Sequence, residues 1–457
     1  MTAATTEPVN LPPGPRVPKA LLGIALLIAR HGGFAYLARR YGDAFTVNIP
    51  FFGRMVVVSS PADVKELFTA SRTIVGRPTN NLGDVLGRGS TFSLDGDELH
   101  ERRRLLLPPF HGKGMRSYER ITEEEVLREI ATWPEGQEFE TLEPMMRISL
   151  NTILRAVFGA EGPALEELRT LMPVAVEFGS RIALMPSYVR RDLGPWSPGG
   201  RFAKYRKRMD ALIASLMAEA RSDPNFEQRQ DVLTLLLQAR YEDGRPISDE
   251  HIADELLTLL VAGHETTSAQ LSWAIERIRR HPDLLSRLYD EVDAGGSELR
   301  LATISEVQRT RPVLTAALRR ARTRIKLGEW VIPEDTTVMA SIQLALASEN
   351  NFPDSEAFNP DRFMGANPSP FAYIPFGGGM MRCVGASFAT MEMDVALRTM
   401  LRELKFEPTS APAERRHTRG VSIAPAKGGR AVVFRRKSAD KTVNAAVGTS
   451  VAQNGHQ

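Results

Sequence analysis

The amino-acid sequence predicts a mostly helical α+β fold with small β-sheets, formed by one large domain. Apolar residues recur at three- and four-residue spacing through much of residues 60–290, which is typical of helices packed on a core. β-Branched and aromatic runs are confined to two short stretches, near residue 50 and near residue 330. The composition, 42% apolar and 25% charged among 457 residues, is that of an ordinary globular protein.

The two ends of the chain differ from the rest. Residues 1–10 show no apolar periodicity and are expected to form a flexible lead. Residues 437–457 are polar, rich in small residues and expected to be disordered. The folded domain is therefore expected to span residues 11–436. The formal net charge of +3 does not indicate a nucleic-acid partner.

No secretory signal and no membrane-spanning segment is evident in the sequence. The most apolar stretch, residues 20–29, has about half of the ~20 residues that a spanning helix needs. We expect it to form a short helix that packs on the body of the protein or lies on a surface. The sequence thus predicts a cytoplasmic protein without a transmembrane anchor.

The first elements follow in order along the chain. Prolines within residues 11–16 predict a stiff, non-helical segment, and residues 44–58 predict two strands. Ser60 is positioned to cap a helix that extends to residue 69. Residues 194–200, rich in Pro and Gly, predict a loop. Helices are further predicted at 121–133, 144–158 and 202–221, and the longest at 248–280.

The C-terminal third returns to irregular and β structure. Short strands are predicted within residues 325–341. Residues 347–375 contain many Pro, Asn and Asp with little periodicity, and a loop of that length in a compact domain is usually functional. A further helix is predicted to open at Cys383.

Cys383 is the only cysteine of the chain. An internal disulfide and a cysteine-rich zinc site are therefore excluded. Three interpretations remain: a buried inert thiol, a nucleophile, or a thiolate ligand to a metal. Three consecutive glycines at 377–379 let the backbone approach a flat ligand, and the amides of the following helix stabilise a thiolate. The alternative is a glycine turn before a helix with a buried cysteine.

The segment 376–386, Phe-Gly-Gly-Gly-Met-Met-Arg-Cys-Val-Gly-Ala, resembles the haem-ligand loop of the cytochrome P450 family. The resemblance implies that Cys383 is the axial ligand of the iron of haem b. It departs from the family pattern at Met381, where a basic residue usually contacts a haem propionate, and Arg382 follows one place later. The remaining cofactor-binding residues implied in this loop are Phe376, Gly377, Gly379 and Gly385.

A second motif, Ala262-Gly263-His264-Glu265-Thr266-Thr267, lies in the middle of the longest predicted helix. Glycine costs about 1 kcal/mol in a helix interior relative to alanine, and such local violations often mark function. The alternative is a small-residue site where helices cross. The hexapeptide is similar to the oxygen-activating segment of the same family. The resemblance implies that Ala262 and Gly263 contact haem, and that Glu265 and Thr266 handle protons. His264 occupies a variable position and is not predicted to be a ligand.

Two further motifs fit the same resemblance. Glu306 and Arg309, paired with Arg362, resemble a buried Glu-Arg-Arg triad that fixes the irregular loop, although an i,i+3 pair alone is commonplace on a solvated face. His100 and Arg104, four residues apart on one predicted helix, resemble propionate-binding residues, with Arg102 and Arg103 as an exposed basic pair. Arg319 corresponds to a further propionate-binding arginine.

The resemblance covers roughly residues 11–435 and implies a haem-thiolate monooxygenase that uses dioxygen. With one cysteine the chain has no iron–sulfur cluster of its own, so an external donor of the ferredoxin or flavodoxin type is expected on the basic side near Cys383. The substrate is expected to be apolar: a lipid, steroid, terpene or aromatic compound. Its pocket is expected near Phe92, 178–196 and 257–264, with contributions from Met185, Tyr188 and Trp196.

Three alternatives remain open at this stage. In the first, the chain is a peroxide-driven peroxygenase. In the second, it is a non-catalytic haem-thiolate binding protein, and in the third it is a cysteine hydrolase. The Glu265–Thr266 pair argues against the first, since peroxide already carries the electrons and protons. Only Met381 favours the second. A cysteine hydrolase would need a histidine beside Cys383, and none lies near it in sequence. That function also leaves the three glycines unexplained.

Overall fold

The structure is a computed structural model that describes residues 2–29, 32–50, 53–78, 81–111, 114–159, 161–183, 185, 189–419 and 422–436. The predicted tail at 437–457 and the predicted pocket residue Tyr188 lie outside these residues. The helices are α1 Lys19–Ala29, α2 Gly33–Tyr41, α3 Pro61–Thr69, α4 Asn81–Leu86, α5 Gly96–Leu106, α6 Gly114–Ile130, α7 Leu142–Phe158, α8 Pro163–Ala183, α9 Pro198–Ser222, α10 Val232–Gln238, α11 Asp249–Ile278, α12 Pro282–Asp293, α13 Glu298–Thr310, α14 Ile342–Leu346 and α15 Ala386–Glu403.

The strands form small sheets beside this helical body. They are β1 Ala3–Ala4, β2 Ala44–Ile49, β3 Gly53–Val58, β4 Val75–Gly76, β5 Ala316–Ala321, β6 Ile325–Leu327, β7 Trp330–Ile332, β8 Thr337–Ser341, β9 Leu404–Phe406, β10 Arg416–Arg419, β11 Ser422–Pro425 and β12 Val433–Arg435. A five-stranded sheet has the order β2-β3-β8-β5-β4, and a three-stranded sheet has the order β1-β6-β7. Two-stranded pairs join β10 to β11 and β9 to β12.

The predicted flexible lead at residues 1–10 is corrected by the structure. Strand β1 pairs antiparallel with β6, and Asn10 exchanges backbone hydrogen bonds with Val331 at 3.0 and 2.7 Å. Lys326 adds an ion pair with Glu7 at 2.8 Å. The lead lacks apolar periodicity because backbone hydrogen bonds, rather than buried side chains, attach it to the sheet.

Helix α11 runs through the centre of the helical body. Ser248 caps it, its hydroxyl accepting a hydrogen bond from the His251 N–H. The helix packs on α7 and α15, and both large apolar core clusters include its side chains. Among the described residues, no helix combines the length and the apolarity needed to cross a membrane.

Candidate active site around Cys383

Cys383 lies in the loop between the irregular segment and α15. Its N–H donates to the Phe376 carbonyl at 3.0 Å, which closes the loop. Helix α15 begins at Ala386, so the prediction that Cys383 opens the helix is corrected by three residues. The residue is exposed, yet the thiol lies deep among protein atoms, as expected for a group that lines an internal space. Burial raises the pKa of the thiol, and the Gly385 N–H and the Arg103 and Arg382 charges oppose that rise.

The glycines before Cys383 are required by the close approach of α3. A Cβ atom on Gly378 would lie 2.1 Å from the Phe68 ring, and one on Gly379 would lie 2.2 Å from the Phe68 carbonyl oxygen. Gly379 also has a positive φ of 61°, which L-residues rarely adopt. At Gly385, by contrast, a Cβ atom would meet no described atom within 4 Å. The loop is therefore fixed on one side and open beside the sulfur.

Three buried or half-buried arginines converge on the same region. Arg319 donates to the Gly378 carbonyl at 2.6 Å, and Arg103 donates to the Arg382 carbonyl at 2.7 Å. Arg77 donates to the Leu94 carbonyl at 3.0 Å. Burial, together with repulsion by Arg103, lowers the pKa of Arg77 and of Arg319 to about 10. A site that concentrates cations in this way suits a ligand with negative groups.

Arg77 was not anticipated from the sequence, yet strand register places it there. Strand β4 pairs antiparallel with β5, with Gly76 opposite Arg320. The next position along β4 is Arg77, and the corresponding position on β5 is Arg319. The neighbouring Arg320 forms an ion pair with Asp335 at 2.6 Å on the surface, so Arg319 is the residue of this pair that faces the Cys383 loop.

The predicted roles on α5 need revision. Arg102 is buried rather than exposed, and it bonds Glu255 at 3.4 Å and the Tyr241 hydroxyl at 2.8 Å. Arg104 pairs with Glu242 at the surface, and His100 is exposed. Arg103 is thus the residue of this helix that reaches the Cys383 loop. His100 and Arg104 do share one face of α5, as their four-residue spacing predicts. That face lies at the surface, whereas the face with Arg103 reaches the Cys383 loop.

The middle of α11 presents a different surface on each side. Ala262 is exposed, and the Thr266 hydroxyl donates to its carbonyl at 2.8 Å. On the other side, a Cβ atom on Gly263 would lie 3.3 Å from Ile153 of α7, so the glycine permits the helices to cross. Glu265 is buried, and burial raises its pKa while the charge of Arg419 opposes the rise. A buried acid and an alcohol on the open side of the helix are therefore adjacent along α11.

His264 and the residues predicted to line the pocket differ in how deeply they are buried. His264 is buried, burial lowers its pKa to about 4, and neither ring nitrogen has a hydrogen-bond partner among the described residues. Trp196 is 79% exposed, so its prediction as a pocket residue is wrong. Met185 and Phe178 pack against the buried residues of α8. A small apolar space of about 20 Å³ lies between α4, α8, α9 and α11, and its lining includes Leu86, Val176, Phe202, Leu257 and Val261.

Glu306, Arg309 and Arg362 meet as predicted. Arg309 donates twice to the Glu306 carboxylate, at 2.7 Å each, and Arg362 approaches it at 3.3 Å. The two guanidiniums also bind carbonyls of the irregular loop, at Ser355 and Ala357 from Arg309 and at Pro353 and Asp354 from Arg362. The triad thus ties α13 to the loop that leads to Cys383.

The sequence model of the family described as Cytochrome P450 matches residues 12–430. The chain belongs to the cytochrome P450 family. Cytochrome P450 138 of Mycobacterium tuberculosis is 52% identical over 438 residues, which cover 95% of this P450 and 99% of that protein. Cytochrome P450 135B1 of the same organism is 37% identical, covering 93% and 92% of the two chains.

Solved structures agree with this P450 in fold. The cyanobacterial CYP120A1 with retinoic acid bound matches with a TM-score of 0.80 and 22% identity, covering 94% of this chain and all of the other. The haem domain of cytochrome P450DA matches with a TM-score of 0.79 and 22% identity, covering 93% and 98%. The family uses haem b and comprises monooxygenases that receive electrons from a redox partner. Cys383, beside an open space and a group of arginines, fits that cofactor.

Proposed function

We propose that this P450 inserts one oxygen atom of O2 into a C–H bond of an apolar substrate. The second oxygen atom leaves as water, and an external protein donor supplies the two electrons that the balance requires, together with two protons from solvent. The observation that carries the proposal is that the buried acid Glu265 precedes Thr266, which lies on the open side of α11, in a chain that also has a thiol able to bind iron. Location in the cytoplasm, where soluble electron donors occur, is part of the proposal.

Bound through Cys383, haem b would supply the iron that binds and activates dioxygen. The residues of the chain have separate tasks around it. Arg77, Arg103 and Arg319 would hold the two propionates, with Arg77 providing a positive charge in a protein that has Met381 at the usual basic position. Each charge-assisted hydrogen bond of this kind is worth about 1.5–3 kcal/mol.

Glu265 and Thr266 would control protons. The Thr266 hydroxyl rests on the Ala262 carbonyl, from which it can turn toward the open side of the helix. Burial keeps Glu265 a weaker acid than an exposed glutamate, so it holds a proton nearer to neutral pH. An acid and a hydroxyl in adjacent positions can pass a proton inward from solvent. A peroxygenase has no need of this arrangement.

The substrate is proposed to be apolar because the side chains of α4, α8, α9 and α11 that face one another beside α11 are mostly apolar. The space among them is about 20 Å³, and Ser180 is the one polar side chain among the described residues that line it. Such a pocket selects by shape and by exclusion of water rather than by hydrogen bonds. A lipid, steroid, terpene or aromatic compound has the required chemistry.

Electron delivery is proposed at the side of Cys383 opposite α11. A groove of about 630 Å³ opens there between α6, α13 and α15, and its lining includes Arg382 and Arg398 as well as Glu119 and Asp394. Arg382 is exposed and follows Met381 directly. Arg382 is the cation that an acidic ferredoxin or flavodoxin would meet beside the Cys383 loop. The buried Arg102 plays no direct part in that attraction.

Oxygen-18 labelling tests the proposed reaction. The haem-loaded protein receives NADPH, a ferredoxin, its reductase and an apolar compound selected by its spectral shift on binding. We expect one labelled atom from O2 in the product. Thr266→Ala should lower product formed per NADPH by roughly tenfold or more, with release of peroxide, because proton delivery loses its hydroxyl.

The buried neighbour Thr267→Ala is the matched control and should retain efficient coupling of NADPH to product. Turnover with hydrogen peroxide but not with O2 and electrons would establish a peroxygenase instead. Haem binding without either activity would establish a non-catalytic binding protein.

A further inference from the structure

Helix α1 exposes a continuous apolar stripe. Leu21 is 60% exposed, Ile24 54% and Ile28 78%, and Val17 just before the helix is 48% exposed. Steps of three and four residues place Leu21, Ile24 and Ile28 on one helix face. These are large aliphatic side chains, and a folded protein usually spreads such side chains singly over its surface.

The stripe is held outward by the packing of the opposite face. Leu22 is buried, and Gly23 lies so close to Pro50 that a Cβ atom there would come within 2.7 Å of the ring. Helix α2 packs alongside, with its Gly33 against the Leu26 side chain. The helix therefore cannot rotate to bury the stripe without losing these contacts.

The charges around the stripe are of one sign. From residue 8 to residue 42 the chain contains no Asp or Glu, although acidic residues number 55 in the 457. Arg16, Lys19, Arg39 and Arg40 in this segment are all exposed. Within the part of the chain that the structure describes, none of the four forms a salt bridge. The aromatic Tyr36 on α2 is exposed as well, at 59%.

We propose that α1 and α2 form a surface that binds peripherally to bilayers containing anionic lipids. The aliphatic stripe would enter the boundary between headgroups and acyl chains, while the cations would meet the acidic headgroups. With 11 residues, α1 would lie in the plane of the interface rather than cross it. A second copy of the chain is disfavoured as the occupant, because two such faces would bring cations against cations.

Vesicle co-sedimentation with the full-length, haem-loaded protein tests this surface. The probes are vesicles of phosphatidylcholine alone and of phosphatidylcholine with phosphatidylglycerol in equal parts. We expect binding to the mixed vesicles, weakened by salt, and little binding to neutral vesicles. Leu21→Ser/Ile24→Ser/Ile28→Ser should lower the partition coefficient by more than about tenfold. Arg39→Ser/Arg40→Ser should lower it by about fivefold per charge.

The matched control is Leu127→Ser/Val174→Ser/Leu314→Ser, which removes exposed aliphatic side chains elsewhere and should leave binding unchanged. Circular dichroism and the haem spectrum establish that each variant is folded. Binding that survives the substitutions in α1, or that ignores lipid charge, overturns the proposal. Self-association of the parent protein that disappears in the α1 variant, without any vesicle binding, also overturns it and assigns the stripe to a dimer.

Discussion

The arginines near Cys383 are unusual for the shortage of negative charge around them. The charge of Arg103 lowers the pKa of both Arg77 and Arg319, and Asp95 is the acidic residue that acts on both Arg77 and Arg319. Asp95 is itself paired with Arg322. Placing cations together away from water costs free energy unless an anion joins them. Two propionates would balance such a group.

Glutamine substitutions test which arginines hold the cofactor. Arg77→Gln and Arg103→Gln should each speed the transfer of haem to apomyoglobin by roughly tenfold, because each removes a charge-assisted hydrogen bond. Arg104→Gln serves as the control, since Arg104 pairs with Glu242 at the surface. Fast haem loss from the Arg104 variant and not from the Arg103 variant would restore the assignment made from sequence spacing.

Glu392, on α15, is a second residue whose pKa is strongly shifted by its surroundings. The side chain is fully buried, and burial raises its pKa to about 8. The nearby Ser149 hydroxyl opposes that rise only in part. Glu392 is therefore protonated in the folded protein at neutral pH.

This burial makes stability dependent on pH. An unfolded glutamate ionises near pH 4.3, so between about pH 4.5 and 8 the folded state binds more protons than the unfolded state. Stability should then fall as pH rises through that window, by up to about 1.4 kcal/mol per pH unit. Glu392→Gln should flatten this decline in urea unfolding measured from pH 5 to 8. Glu334→Gln, at an exposed site, should leave the slope unaltered, and an equal slope in the Glu392 variant would contradict the account.

At the scale of single residues, the chemical role of a residue was easier to predict than the direction in which its side chain points. Cys383, Glu265, Thr266 and the triad were predicted because their motifs resemble those of the P450 family. Arg102 and Arg103 could not be assigned correctly, because one residue along a helix turns a side chain by about 100° and the sequence does not state which face packs on α11. Arg77 was missed because only strand pairing brings it opposite Arg319.

At the scale of elements, the triad connects the most regular and the least regular parts of the fold. Besides the two arginines, the Glu306 carboxylate accepts a hydrogen bond from the Asn359 N–H at 2.8 Å. The loop from residue 347 to 375 has little secondary structure of its own beyond a short turn at Pro360–Phe363. Its path is set by side-chain hydrogen bonds to its carbonyls rather than by a core of its own.

Removal of the central carboxylate should therefore be severe. Glu306→Ala should lower the free energy of unfolding by about 3–5 kcal/mol, since it leaves Arg309 buried and unpaired. Chemical unfolding of the haem-loaded protein, followed by circular dichroism, measures this loss. The control is Arg287→Ala, which removes the half-exposed Arg287–Asp361 pair beside the same turn and should cost less than about 1 kcal/mol. Similar losses in both variants would show that the triad has no special role.

Helices and strands were predicted correctly where a single hydrophobic repeat dominates the segment. The capped starts of α3 and α11 are confirmed, since Ser60 and Ser248 both accept hydrogen bonds from the first turn. Helix α8 was not singled out, and Pro173 inside it interrupts the pattern expected of a helix. The β10–β11 pair was also missed, because its strands are four residues each and depend on packing against α11.

At the scale of the whole molecule, the fold brings remote segments to the loop that carries Cys383. Strand β5 brings Arg319 to the Gly378 carbonyl, α5 brings Arg103 to the Arg382 carbonyl, and Arg77 follows β4 beside them. The one-domain prediction from mixed helical and β signals agrees with this arrangement. The attachment of the N-terminal residues to β6 and the outward stripe of α1 are properties of packing that periodicity alone does not reveal.

The central claim is that Cys383 binds haem iron as a thiolate, and a carbon monoxide difference spectrum tests it most directly. The purified protein is reduced with dithionite and then exposed to carbon monoxide. We predict a Soret band at the long wavelength peculiar to thiolate-ligated haem, and its loss in Cys383→Ser. A parent protein that shows only the shorter-wavelength band of a neutral ligand, or no haem band after expression with added haem, would contradict the account.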